Sequence, residues 1–260
     1  MQLRTVFRGF RGNPAIGRTL IILSGLALWQ LAVLRGGGST MILPPPSAVL
    51  VSMVKLLGLQ EVRGALLQAF GSVLIAFGLA AVAGILAGLV MGLFRLFYVA
   101  AFPVFVLVNS IPKMIFMPLV VLTLGVEESA KITYGFFSAV LPVAISVTTA
   151  VATVDEKLVR AARSMAASKF RMVWNVIIPG TAPAIFSSLW YGLQHALLGV
   201  LLMELFVSTR GVGYFIRQYA LQPDRVFALM FLLAFGAIVL TAAWRAVERK
   251  TTSWRGVGPQ

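Results

Sequence analysis

The sequence predicts an all-α, polytopic membrane protein with six transmembrane helices, forming a single domain over residues 1–260. Three observations carry that expectation. The chain is 59% hydrophobic and 12% charged, where soluble domains carry about a quarter charged residues. Its apolar runs are long enough to cross a bilayer and alternate with short connections that hold most of the basic residues. One passage, 153–183, is the most charged in the chain and has the pattern of an amphipathic basic helix between two apolar runs.

Residues 1–18 carry Arg4, Arg8, Arg11 and Arg18 and no acid, and an apolar run over 19–34 follows. That run is near the lower limit of the ~17–25 residues a span needs. A signal peptide is the competing reading, but Arg35-Gly-Gly-Gly offers no Ala-x-Ala-like cleavage site, so 19–34 reads as a retained first span. Met41-Ile-Leu-Pro-Pro-Pro-Ser47 follows, and consecutive prolines predict an extended connection. The second span falls within 65–94. Gly84, Gly88 and Gly92 recur there at four-residue intervals, after Gly71 and Gly78, and small residues on one face let membrane helices approach closely.

Arg95 marks a short connection before the third apolar region, 97–124. Pro103, Pro112 and Pro118 interrupt it, with Asn109, Ser110 and Lys113 between them. Carbonyls freed by proline are tolerated at membrane depth only against protein or a wet cavity, so this region reads as a broken helix lining something polar. A polar turn over 125–131 leads to a fourth span, 132–151, with Pro142 inside it. The fifth span, 184–207, holds Gln194, His195 and Glu204. A polar loop over 208–225 contains Gly211-Val-Gly213-Tyr214, and the sixth span, 226–244, ends in Arg245, Glu248, Arg249 and Lys250.

Between the fourth and fifth spans, Thr153-x-x-Glu156 reads as a capping box, with Asp155 and Glu156 at the positive end of a helix. Val159, Ala162, Ala166, Phe170 and Val173 recur at helical spacing, while Lys157, Arg160, Arg163, Ser164 and Arg171 fall largely on the other side. Pro179-Gly180 and Pro183 are expected to stop or redirect this helix.

Six spans put both ends on one side. Fourteen of the 22 basic residues lie in the N-terminal tail, the Arg95 connection, the elbow at 153–183 and the C-terminal tail. Seven lie in the opposite connections: Arg35, Lys55, Arg63, Lys131, Arg210, Arg217 and Arg225. The positive-inside rule therefore predicts cytoplasmic termini and a cytoplasmic elbow. A net charge of +14 also fits nucleic-acid binding, but that needs basic residues gathered on one folded face, and here they alternate with apolar runs.

The elbow resembles the "EAA" loop of permease subunits of ATP-binding-cassette importers, whose pattern is Glu-Ala-Ala, three residues, Gly, nine residues, Ile, one residue, Leu-Pro. Ala161-Ala162 keep the pair, Val176 stands at the isoleucine and Ile178-Pro179 at the Leu-Pro, while Arg160 replaces the glutamate and Ala166 the glycine. Ile42-Leu-Pro-Pro-Pro46, the run Ile111-Pro-Lys-Met-Ile-Phe-Met-Pro-Leu119 with Gly125 and Lys131, and Gly211-Val-Gly213-Tyr214 are similar to segments of the nitrate/sulfonate/taurine branch of that family. The resemblance implies a type I importer permease with a cytoplasmic coupling helix. It implies two paired permease subunits, two separate ATPase subunits docked on the elbows, and an extracytoplasmic binding protein. Asp155, Glu156, Arg160, Ala161, Ala162, Arg163, Ala166 and Arg171 are then the expected ATPase-coupling residues. Small organic sulfonates, nitrate, bicarbonate and pyrimidine precursors all fit this branch as cargo crossing a bacterial inner membrane, and a positive Lys113 on the path favours an anionic one.

The residues agree with a transport subunit rather than an enzyme. No Gly-x-x-x-x-Gly-Lys-Ser/Thr loop occurs, so ATP and Mg are expected on partner subunits and no cofactor on this chain. There are no cysteines and one histidine, and His195 and Glu204 stand nine residues apart, not at the i, i+4 spacing of a helical zinc pair. No nucleophile elbow is visible. Ionisable groups in a span cost about 2.5–3.5 kcal/mol at mid-helix and point to function. Asn109, Ser110, Lys113, His195 and Glu204 are accordingly the expected translocation-path residues. The rival is an ion-coupled secondary transporter with Glu204 as proton carrier, which calls for an internal repeat that the sequence does not display.

Overall fold

A computed structural model describes residues 14–35, 43–154, 156–207 and 209–252, and among these there are helices and no strand. The helices are α1 (Pro14–Arg35), α2 (Pro46–Gly58), α3 (Gln60–Leu93), α4 (Arg95–Ser110), α5 (Met117–Leu124), α6 (Glu128–Ala152), α7 (Glu156–Ser164), α8 (Lys169–Met172), α9 (Ile178–Phe206), α10 (Val212–Gln218) and α11 (Pro223–Thr252). Five stretches are long and apolar enough to cross a membrane: Ile16–Arg35, Gln60–Leu93, Glu128–Ala152, Phe170–Phe206 and Pro223–Glu248. A sixth span is completed if α4 and the segment Lys113–Leu124 count together, and these are bent by 90°.

The chain divides into two compact units. One comprises Met1–Leu59 and Gln218–Leu232, the other Gln60–Arg217 and Leu233–Gln260. In the first, Trp29 of α1 stacks on Phe231, with centroids 6.1 Å apart, and the Gln30 side chain bonds both the amide and the hydroxyl of Ser47 at 3.2 Å. Ser52 donates to the Asp224 carboxylate. The expected proline-fixed connection is seen at Pro44 and Pro45, but a helix begins directly at Pro46. Proline suits the first helical position because its missing N–H has no intrahelical acceptor there. This helix was not anticipated from the sequence.

The second unit is built on α3, α6 and α9. Val73, Ala76 and Ala80 of α3, Ala139 of α6, and Leu193, Ala196 and Val200 of α9 form its buried centre. Lipid offers no hydrophobic drive for helix association, so close backbone approach must supply the contact energy. A Cβ at Gly84 would sit 2.8 Å from Val143, at Gly88 2.6 Å from Val147, and at Gly92 2.6 Å from Val151. Thr148 Oγ1 also donates to the Gly88 carbonyl at 3.3 Å. The four-residue glycine repeat is thus the seam with α6. Gly71 and Gly78 meet nothing within 4 Å and are not part of it.

Several expected boundaries move. Of the three prolines in 97–124, only Pro112 interrupts the helix; Pro103 lies inside α4 and Pro118 in the first turn of α5. Ile111 before Pro112 is extended, as clash with the proline ring requires. The turn after α5 is short, with Gly125 at φ 74°, and α6 begins at Glu128, which places Lys131 in a helix rather than in a loop. Pro179 and Pro183 do not stop the chain: a π turn over Val173–Ile177 runs into α9, which contains both. Pro179 sits in the first turn, and Thr181 Oγ1 donates to the carbonyls of Ile177 at 2.8 Å and Ile178 at 3.1 Å.

Candidate functional site

Three places in the second unit gather the chemistry. The first is a cavity of about 360 Å³ at the break between α4 and α5. Asn109, Ser110 and Lys113 line it from the break, His195, Leu198, Gly199 and Leu202 from α9, and Tyr134 and Ser138 from α6. The α9 residues are spaced i, i+3, i+4, i+7, one helical face, and the α6 pair is spaced i, i+4. Lys113 Nζ donates to Asn109 Oδ1 at 3.1 Å. No carboxylate lines the cavity among the described residues. Four of the five residues expected on a translocation path therefore share one cavity.

Glu204 does not join them. Nine residues beyond His195 on a helix of 3.6 residues per turn is two and a half turns, which is the opposite face and about 13.5 Å further along. Its carboxylate is buried instead against Lys131 of α6, with Oε1 3.6 Å from Nζ and side-chain exposures of 2% and 5%. The same Oε1 accepts the Val212 N–H at 2.9 Å, at the start of α10. Lys131 Nζ also donates to the Arg210 carbonyl at 3.3 Å. Gly211, at φ 101°, and Gly213 leave no room for a Cβ, which would run into the Glu204 carboxylate and backbone respectively. The Gly-Val-Gly sequence is what lets this turn close over a buried charge pair. Beside it, Glu128 accepts from Ser72 at 2.9 Å and Gln68 at 3.0 Å.

The third place is the elbow. It is not one helix. α7 ends at Ser164, and Ala166 takes the left-handed conformation with φ 53°. Ala166 N–H bonds the Arg163 carbonyl and Ala167 N–H the Ala162 carbonyl, the paired bonds of a Schellman ending. Glycine is the residue this position favours, and it is the residue of the family pattern at Ala166. Thr153 Oγ1 donates backward to the carbonyls of Thr149 and Ala150 at the end of α6, and the Glu156 side chain of the expected capping box lies outside the described residues. Asp155 lies outside the described residues, and Glu156 opens α7. Arg160, Ala161, Arg163, Ala166 and Arg171 are exposed and Ala162 is half-buried. Of the expected apolar face, Val159, Ala162 and Val173 are half-buried, while Ala166 is exposed and Phe170 is 71% exposed; Met165 beside it is 83% exposed. A groove of about 390 Å³ runs between Leu158, Ala162, Met165, Val176 and Pro179.

The sequence reading missed Tyr134, Ser138 and the partner of Glu204. The signal was present: Lys131, Tyr134 and Ser138 follow at i, i+3, i+7, a polar stripe on one face of α6.

A bundle of apolar helices with a broken helix, an open cavity that carries polar side chains, and an exposed basic elbow fits a membrane transport subunit. The chain belongs to the family of binding-protein-dependent transport system inner membrane components, whose family profile matches residues 80–253. It is 30% identical to the taurine transport system permease protein TauC of Escherichia coli over 249 residues, 93% of this chain and 90% of that one. It is 29% identical to a putative aliphatic sulfonates transport permease protein, SsuC, of Bacillus subtilis, covering 88% of this chain and 84% of that one. It is also 29% identical to the nitrate import permease protein NrtB of Synechocystis, over 87% of this chain and 84% of that one. In fold it is similar to a chain of the MetNI methionine ABC transporter in inward-facing form, at TM-score 0.61 and 20% identity, over 77% of this chain and 98% of that one. The protein is an ABC-importer permease subunit of the nitrate/sulfonate/taurine type with the type I fold.

Proposed function

We propose that this subunit forms, with a second permease subunit, the path for a small anionic solute of the sulfonate, taurine or nitrate kind. The observation that carries this reading is the cavity at the α4–α5 break, where Lys113 meets Asn109, Ser110 and His195 and no carboxylate lines the wall among the described residues. A lone ammonium in such a place favours an anion. Three of the relatives are named for taurine, aliphatic sulfonates and nitrate, which agree in chemistry, while another, at 25% identity, is named for formylaminopyrimidine.

In this reading both termini and the elbow face the cytoplasm, as the basic residues argue. Two ATPase subunits, which bring the ATP and Mg, dock on the elbows, and a binding protein delivers solute from the other side. The exposed residues Arg160, Ala161, Arg163, Met165, Ala166 and Arg171 make the contact, with Ala162 beside them. Closure of the ATPases displaces α7, and the π turn carries that displacement into α9, whose middle lines the cavity. The chain itself carries out no catalysis.

The test is uptake of labelled taurine into proteoliposomes holding the permease, its ATPase and its binding protein. Uptake should require ATP and the binding protein. Lys113→Met should lower it at least about tenfold at subsaturating solute, the loss of one charge-assisted contact. Uptake that runs on an ion gradient without ATP would overturn the reading.

A further inference from the structure

We infer that α2 is an interfacial helix: it lies in the outer leaflet of the bilayer, one face held by α1 and the start of α11, the other against lipid acyl chains. Nothing in the transport reading calls for such a helix. Only the choice of leaflet rests on that reading, through the cytoplasmic termini.

Length and composition narrow what α2 can be. Its 13 residues, Pro46–Gly58, hold one charge, Lys55. At 1.5 Å per residue it is about 20 Å long, short of the ~30 Å hydrocarbon core, so it cannot cross. A helix of that length and composition belongs to a core, or is re-entrant or interfacial. The core is excluded by exposure. Val49, Ser52 and Leu56 are buried along one face, but Leu50 is 61% exposed, Val54 73% and Leu57 41%. These three stand at i, i+4 and i+7, a continuous apolar stripe, and Val51 beside it is 53% exposed. A helix facing water carries polar residues on that side. Lys55 is exposed at the edge of the stripe, beyond Val51, where its stem can lie along apolar surface while its ammonium reaches the headgroups.

Two tethers set the depth. The Gln30 side chain accepts the Ser47 N–H and donates to the Ser47 hydroxyl, both at 3.2 Å. Gln30 precedes Arg35, the exposed charged end of α1, by a turn and a half, so the start of α2 is held about 7.5 Å below that end. Further along α2, Ser52 donates to the Asp224 carboxylate in the first turn of α11. Interfacial helices sit about 5–10 Å into the boundary between headgroups and acyl chains, and the tethers hold the stripe at that level. This depth is what selects lipid as the occupant. A soluble protein docked on the stripe would have to displace acyl chains first, and would return the stripe to them on leaving.

The test uses the absence of cysteine in this chain. Leu50→Cys, Val54→Cys and Leu57→Cys each take one nitroxide label before assembly with the ATPase, and exposed Gln60→Cys is the water-facing reference. The complex is placed in phosphatidylcholine nanodiscs without binding protein. Power saturation then compares collisions with oxygen, which partitions into lipid, and with a nickel chelate, which stays in water. Oxygen should dominate at the three stripe positions, at a depth of about 5–10 Å, and the nickel chelate at Gln60. The nickel chelate dominating at two or more stripe positions would overturn the inference, because the face would then be open to water and to a soluble partner. Neither reagent reaching them would overturn it too, since a second copy of the chain would then cover the stripe. The leaflet is read separately, with an impermeant maleimide in intact cells, where Gln60→Cys should react and Arg171→Cys should not. Oxygen dominance with the reverse maleimide pattern would overturn the outer leaflet and, with it, the cytoplasmic termini of the transport reading, while the seating in lipid stands.

Discussion

The buried pair of Lys131 and Glu204 offers a quantitative check on how this bundle is held together. At 3.6 Å, two unit charges in an effective dielectric of ~20 attract by about 4.6 kcal/mol. Desolvation offsets much of that gain, so the pair as a whole contributes little, whereas leaving one member alone costs about 3–5 kcal/mol. Glu204→Gln isolates that effect, because the amide keeps its shape and its oxygen can still accept the Val212 N–H. We expect Glu204→Gln to lose about 3–5 kcal/mol of unfolding free energy, well above the ~0.6 kcal/mol typical of a polar contact between membrane helices. Adding Lys131→Met removes the orphaned charge, and the double variant should lie within about 1 kcal/mol of the unsubstituted chain, the size of one neutral hydrogen bond. The assay is reversible unfolding by dodecyl sulfate in mixed micelles, followed by tryptophan fluorescence. A double variant as unstable as Glu204→Gln would refute the reasoning, since it would mean that the loss came from the glutamate's packing and not from an uncompensated lysine.

Three further outcomes follow from the geometry. Gly88→Val should separate α3 from α6 and cost about 2 kcal/mol or more, in the same micelle assay, because its Cβ would overlap Val147; Gly78→Ala, with open space around it, should be neutral or stabilising by about 0.5–1 kcal/mol. Ala166→Gly should relieve left-handed strain of about 1 kcal/mol and slow proteolysis of the elbow, whereas Ala166→Val should accelerate it. In intact cells, a cysteine at Arg171 should resist an impermeant maleimide while one at Gln60 reacts, and the reverse pattern would contradict the positive-inside assignment.

The sequence by itself determined what depends on local composition and period. The spans follow from runs of apolar residues, because the backbone must satisfy its own hydrogen bonds in lipid. A break within 97–124 follows from its prolines, though which of the three makes it was not legible, and the α3 seam follows from glycines at four-residue spacing. That Asn109, Ser110, Lys113, His195 and Glu204 are candidates for function was legible from the cost of polar and ionisable groups in lipid.

Only the tertiary structure decided which of these residues meet. Period places His195 and Glu204 on one helix but says nothing of what stands opposite each face, and it took α6 to assign Lys131 to Glu204 and Tyr134 to the cavity. Gly78 and Gly88 are alike in sequence, yet one faces open space and the other Val147, because only a neighbouring helix distinguishes two faces of an apolar helix. The elbow differs in kind. Its helix ends at an alanine in a left-handed conformation, which alanine's own preferences oppose, so local propensity pointed to a longer helix than the chain forms.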